Sequence, residues 1–224
     1  MKTFFEELTQ ATETERNLLY TVPQIIDAMQ GNISRESYIA YLEQAYHHVK
    51  HTVPLMMAAG SRLPQNKEYL REALVDYVEE EVGHQEWILN DIKHAGGDAE
   101  AVRRGEPNEA TEMMVAYAYD YVSRINPVGF FGMVFVLEGT SIQLATNAAK
   151  TLQTSLVLAE NCFSYLSSHG SLDLEHMDFF EKLVNQIDDP DDQQAIIHVA
   201  RRMFKLFSDV FRSIPHKEVL KDAV

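Results

Sequence analysis

Apolar residues recur at three- and four-residue steps along almost the whole chain, the spacing that places them on one face of a helix. Ile196, Val199, Met203, Leu206 and Val210 display it most plainly. The alternation of a half-buried strand between hairpin turns is not found. The pattern predicts helices over about 3–20, 34–62, 66–95, 108–124, 127–153, 156–168, 172–187 and 190–213, the second kinked at Pro54. Helix punctuation supports it. Asn126 is placed to cap a helix that Pro127 opens. Asp189 does the same before Pro190, with Asp191 and Asp192 in the first turn, where they oppose the helix dipole. Gly96 and Gly97 supply a helix stop. The expected architecture is an all-α bundle of about seven or eight helices, one domain over residues 1–224.

Composition narrows the function more than the fold. Apolar residues make up 46% of 224, enough for a sizeable core, and no Ser/Gly/Pro tract divides them. The formal net charge is -15. No basic stripe stands out in the linear sequence, which argues against nucleic acid and against an anionic membrane surface as partners. The single cysteine, Cys162, excludes an internal disulfide and fits a reducing compartment. The stretch MKTFFEELTQATETER turns charged too early for a signal peptide. The longest apolar runs, in GFFGMVFVLEG, are too short to span a bilayer. A cytoplasmic protein is expected, with neither membrane nor nucleic acid as partner.

Three stretches carry residues able to bind a metal. In YVEEEVGHQEW, Glu81 and His84 are three apart and would share one face of a helix. Such a pair offers a carboxylate and an imidazole to one ion, and Glu80 is able to take the place of Glu81. The blander reading is a solvated acidic face beside a chance histidine. In GMVFVLEGTS, Glu138 follows an apolar run in the most hydrophobic helix. A buried carboxylate there needs a cation, a metal or a proton, and an arginine or a turn to solvent would serve equally. Gly132 and Gly139 would let a neighbouring helix or a metal centre come close. In HGSLDLEH, His169, Asp173 and His176 lie at offsets of four and three, one face of a continuous helix. A helix end at SSHG, with His176 in a new helix, competes with that reading.

Together these stretches hold three imidazoles and three carboxylates, a nitrogen and oxygen set suited to iron or manganese. Six ligands are able to hold two ions with open positions for dioxygen, and with no thiolate among them structural zinc is not indicated. A fourth group lies in YLEQAYHHVKHT. His47 and His51 are four apart, Glu43 precedes His47 by four, and Tyr46 and His48 lie beside them. They either line a pocket and support the ligands or form a half-buried polar helix face. Phe130, Phe131 and Tyr165 are candidates to wall a substrate pocket, and equally candidates for plain core.

The order E-x-x-H (Glu81, His84), an isolated Glu after an apolar run (Glu138), then H-x-x-x-D-x-x-H (His169, Asp173, His176) resembles the haem-oxygenase-like di-iron oxidases. Their superfamily also holds the thiaminase-like TenA proteins and the oxidase PqqC. AYHHVKHTVPLMMAAG and EEEVGHQEWILNDIKHAGG are similar to the N-terminal half of that superfamily, and the resemblance covers about residues 34–210. It implies a seven-helix haem-oxygenase-like fold, a homodimer, and a non-haem iron centre of two ions, with manganese as the other candidate metal. Such a centre uses O₂ to cleave, desaturate or N-oxygenate a small substrate. The resemblance assigns Glu81, His84, Glu138, His169, Asp173 and His176 as ligands, and leaves Glu80 or Glu81 open because that spacing varies in the family. Haem oxygenase itself is set aside, since the first helix has no histidine for the proximal position. TenA-type chemistry needs a cysteine in a middle helix, whereas Cys162 lies beyond the Glu138 helix. The competing readings are a metal-free TenA-type hydrolase, a PqqC-like cofactorless oxidase, and a non-catalytic helical protein that binds a small molecule. On the metal reading, HGSLDLEH is the segment expected to loosen at Gly170 without metal.

Overall fold

The computed structural model describes residues 2–216, apart from the side chains of residues 169–175. Its helices are α1 (Phe4–Ala11), α2 (Glu13–Leu19), α3 (Pro23–Met29), α4 (Arg35–Val49), α5 (Thr52–Gly60), α6 (Glu68–Glu81), α7 (His84–His94), α8 (Ala99–Arg104), α9 (Glu109–Arg124), α10 (Phe130–Leu156), α11 (Ser164–Val184) and α12 (Pro190–Arg212). Short 3₁₀ turns precede α6, α10 and α11, and there is no strand among the described residues.

The all-α class is as expected, and so are the caps. Asn126 accepts from the Val128 amide at 2.9 Å and Asp189 from the Asp191 amide at 3.0 Å. The stop after α7 comes at Ala95, with Gly96 in the left-handed region at φ 88°. The boundaries differ in four places. The first predicted helix divides at Thr12. The second divides at Lys50–His51, ahead of Pro54, which sits in the first turn of α5, where its missing N–H removes no helical hydrogen bond. The predicted helix 66–95 divides at Val82–Gly83, where Gly83 takes φ 96°. Conversely, α11 passes through Gly170 unbroken, joining 156–168 and 172–187 into one helix that starts at Ser164. One glycine costs a helix only about 1 kcal/mol, less than anchoring at both ends returns. The short helices α3 and α8 escaped the periodicity argument; Pro23 and the Asp98 cap were their signals.

Two apolar clusters make up the core. The larger joins α1, α2, α3, α5, α6, α9 and α12 with the first half of α10 and the last turns of α11. The smaller joins α4, α7 and Val102 of α8 with the second half of α10 and the start of α11. The chain passes between clusters at the α4–α5 corner, at the α6–α7 break, in α10 between Val136 and Ala145, and in α11 between Leu166 and Phe180. Glu81, His84, Glu138 and His176, the candidate ligands among the described residues, lie on this seam.

Two expectations need correction. With the turn before it, α10 is long and apolar enough, by length and composition, to cross a membrane. Scattered polar residues hid this from a search for unbroken runs. Most of its apolar window is buried inside the protein, against α11 and α12. At Gly132 an added Cβ would lie 2.4 Å from the Ile196 carbonyl oxygen, so the glycine permits close approach of α12. A basic stripe also forms: Arg201, Arg202, Lys205 and Arg212 surround one groove on the outer side of α12, with Glu15 and Leu18. Apolar residues separate them in sequence, which concealed the grouping.

Candidate metal centre and its cavity

The α6–α7 break forms the first half of the site. Glu81 ends α6 and His84 begins α7, so they do not share one helix. The left-handed turn at Gly83 nevertheless joins them, with Glu81 Oε2 2.9 Å from His84 Nδ1, the imidazole buried and the carboxylate largely so. The His84 ring stacks on Trp87, centroids 4.0 Å apart, which fixes the plane of the imidazole.

The second half lies where α10 and α11 cross the seam. His176 is buried, with Nε2 2.7 Å from Glu80 Oε2 and Nδ1 3.8 Å from Glu138 Oε1. The Tyr77 ring meets the His176 ring edge-on at 6.1 Å. Glu80 and Glu81 each face a different imidazole. Glu138 is largely buried, at 12% side-chain exposure, as its apolar flanks predicted. His169 and Asp173 lie outside the described residues, as does the expectation that HGSLDLEH loosens at Gly170.

The six predicted residues thus come from the α6–α7 junction, α10 and α11. Among the described residues no three of them gather at metal-ligand spacing; they form a Glu81–His84 pair and a Glu80–His176–Glu138 chain. The donor chemistry fits iron. Buried Glu81 and Glu138 meet imidazoles, and carboxylate oxygen with imidazole nitrogen suits Fe or Mn. A carboxylate held largely out of water beside an imidazole is a place where a cation is stabilised.

Sequence reasoning missed Asp91. It lies fully buried on the apolar face of α7 beside Ile88 and Ile92, and an acid at a core position was the available signal. Its carboxylate accepts from Ser164 Oγ at 2.5 Å, from the Ser164 amide at 3.1 Å and from the Tyr165 amide at 2.9 Å. These bonds cap the first turn of α11 from another helix. Burial pushes the Asp91 pKa up, and the same hydrogen bonds pull against it. One buried carboxylate therefore ties the helix of His84 to the helix of His176.

An apolar cavity of about 170 Å³ opens onto Glu81 and Glu138. Phe130 and Tyr165 line it; Phe131 does not, being fully buried in the larger cluster. Of the group in YLEQAYHHVKHT, His48 lines the cavity, and Glu43, Tyr46, His47 and His51 do not. The last two face elsewhere: His47 Nδ1 lies 3.2 Å from Lys50 Nζ, and His51 Nδ1 lies 3.2 Å from the Tyr119 hydroxyl. The i to i+4 spacing identified a real polar face, but of the α4–α5 corner rather than the cavity. Glu43 is half-buried, which raises its pKa, and Tyr46 packs edge-on against His47. Cys162 is also absent from the cavity wall. Burial and then the Asp91 charge push its thiol up, away from the reactive thiolate.

Residues 39–208 match the family model described as iron-containing redox enzyme. The chain belongs to that family. No curated protein is significantly similar to it. Among solved structures, this iron-containing redox enzyme family member is similar to a domain of unknown function with a haem oxygenase-like fold from Shewanella denitrificans. The two share 23% identity over 98% of this chain and 95% of that one, with TM-score 0.85. A TenA homologue from Pseudomonas syringae pv. tomato is 10% identical over 94% of this chain and 91% of that one, with TM-score 0.79. Haem oxygenase-1 from the cyanobacterium Synechocystis, in complex with haem, is 12% identical over 99% and 96%, with TM-score 0.75. At these identities the likeness establishes a haem-oxygenase-like all-α fold.

Proposed function

We propose that the protein is a cytoplasmic, homodimeric non-haem iron oxidase or oxygenase that uses O₂ on a small organic substrate, with neither nucleic acid nor membrane as partner. Glu81, His84, Glu138 and His176, with His169 and Asp173 from α11, would hold two iron ions, or manganese in their place. The observation that carries this reading is that two largely buried carboxylates, Glu81 and Glu138, each with an imidazole beside it, line one apolar cavity. Iron bound there would supply the activation of O₂.

The chain's own residues set the geometry. The Nε2 of His176 faces Glu80, which as a hydrogen-bond acceptor fixes the tautomer and leaves Nδ1, on the Glu138 side, as the ligand atom. Glu80, itself half exposed, then orients the imidazole rather than binding the ion. Trp87 holds the His84 ring, and Asp91 holds the start of α11. The apolar wall excludes water around the substrate. Thiol chemistry of the TenA kind has no support from the position of Cys162.

The test is anaerobic loading with Fe(II), iron quantified per chain, then exposure to O₂. Wild-type protein should retain iron and consume O₂, and Glu138→Ala and His169→Ala should each lose most of the iron. Iron binding unchanged in both variants would sink the proposal.

A further inference from the structure

The cavity follows α10 along one face, through Phe130, Leu137, Ser141, Leu144, Ala148 and Leu152. At about 1.5 Å per residue this face is roughly 33 Å long, and Glu138 divides it into arms of roughly 12 and 21 Å. A volume of about 170 Å³ spread over such a length is a narrow channel. Among the described residues no lysine or arginine lines it; its wall carries the carboxylates Glu81 and Glu138 and the imidazoles of His48 and His216, the latter already 2.6 Å from Asp27 Oδ2. An anionic group entering the metal-free channel would leave water without a lysine or arginine to pair with and would meet two carboxylates.

One polar atom in the wall is unexplained. Thr140 is buried and lines the channel two residues from Glu138, and its Oγ1 has no hydrogen-bond partner among the described residues. Helical threonines ordinarily bond back to the carbonyl four residues earlier. A buried hydroxyl without a partner is destabilising and awaits one.

We propose that the channel binds one slender, mostly apolar chain carrying an uncharged polar group, and that the Thr140 hydroxyl hydrogen-bonds that group. The inference rests on the iron reading for the reaction, but not for binding. It names the substrate class: a long aliphatic molecule with a neutral head, whose longer arm lies against Leu144, Ala148 and Leu152.

The test uses the metal-free, full-length protein and calorimetric titration with 1-dodecanol and with dodecanoate. Dodecanol should bind, and dodecanoate should bind at least about tenfold more weakly. Thr140→Val, of equal shape, should weaken dodecanol about five- to tenfold, one hydrogen bond's worth. Ala148→Phe should block binding while thermal unfolding reports an intact fold. Equal affinity for acid and alcohol, no binding of the alcohol, or an unchanged affinity in Thr140→Val would each overturn the proposal. Iron content after reloading separates the two ideas. Iron without alcohol binding sinks only the channel assignment, and alcohol binding without iron sinks only the iron reading.

Discussion

The two apolar clusters share α10 and α11, yet they are built from different side chains. In the larger, α10 contributes Phe130, Phe131, Met133 and Phe135, and Gly132 brings α12 close. In the smaller, α10 contributes Ala145, Ala148, Ala149 and Leu152. Bulky residues in one half of the helix leave the channel only its shorter arm, while small residues in the other half open its longer arm. The difference separates two tasks. The first half anchors the helix by tight packing. The second half gives up some packing to make a place for a ligand, and the carboxylate stands at the change-over.

Truncation should reveal this asymmetry most strongly. Phe131 is fully buried in the larger cluster, and Phe131→Ala should cost about 3–5 kcal/mol in chemical denaturation. Leu152 borders existing empty space, so Leu152→Ala should fall near the lower end of the range for such changes, about 2 kcal/mol. Equal losses would mean that the smaller cluster is packed as tightly as the larger. Adding volume should reverse the order. Gly132→Ala presses a methyl group onto the α12 backbone and should cost up to about 3 kcal/mol. Ala148→Met extends into the channel and should be nearly neutral.

The link between clusters comes next in size. Asp91→Ala removes the acceptor of three hydrogen bonds at the start of α11 and should cost about 1–3 kcal/mol. It should also weaken iron binding, although among the described residues Asp91 pairs with none of the proposed ligands. Asp91→Asn keeps an oxygen for part of the set and should recover part of the loss. If Asp91→Ala unfolds like wild type and retains its iron, α11 is positioned by apolar contacts alone.

The legibility of the sequence follows the same division. Apolar periodicity located the long helices, because burial of one face dominates their formation. It failed at two glycines: Gly83 breaks a helix that the pattern joins, and α11, capped at its start by Asp91, runs through the Gly170 at which the pattern divides it. Glu138 was legible because an acid in an apolar run has few alternatives. The partnership of Glu80 with His176 was not, since it depends on how α6 meets α11. The α4 histidines misled because spacing defines a face but not what that face meets. His48, one residue away, lines the channel instead.

The smallest expected effect concerns that α4–α5 corner, where the chain passes from the smaller cluster to the larger. Burial lowers the pKa of His47, and the neighbouring Lys50 charge adds to it, against a weaker opposing pull from Glu106. Burial and then Lys50 lower His51 in the same way. Both imidazoles are therefore held neutral in the fold, where His47 lies near the Lys50 ammonium and His51 near the Tyr119 hydroxyl. An unfolded histidine takes up a proton near pH 6.5. Below that pH the unfolded chain binds protons that the fold refuses, so stability is complete above about 6.5 and declines as pH falls towards the depressed folded values. Denaturant midpoints at pH 7.5 and 5.5 should differ in the wild type. They should differ less in the double variant His47→Gln, His51→Gln, which cannot titrate there. An undiminished drop in the variant would place the acid sensitivity outside the α4–α5 corner.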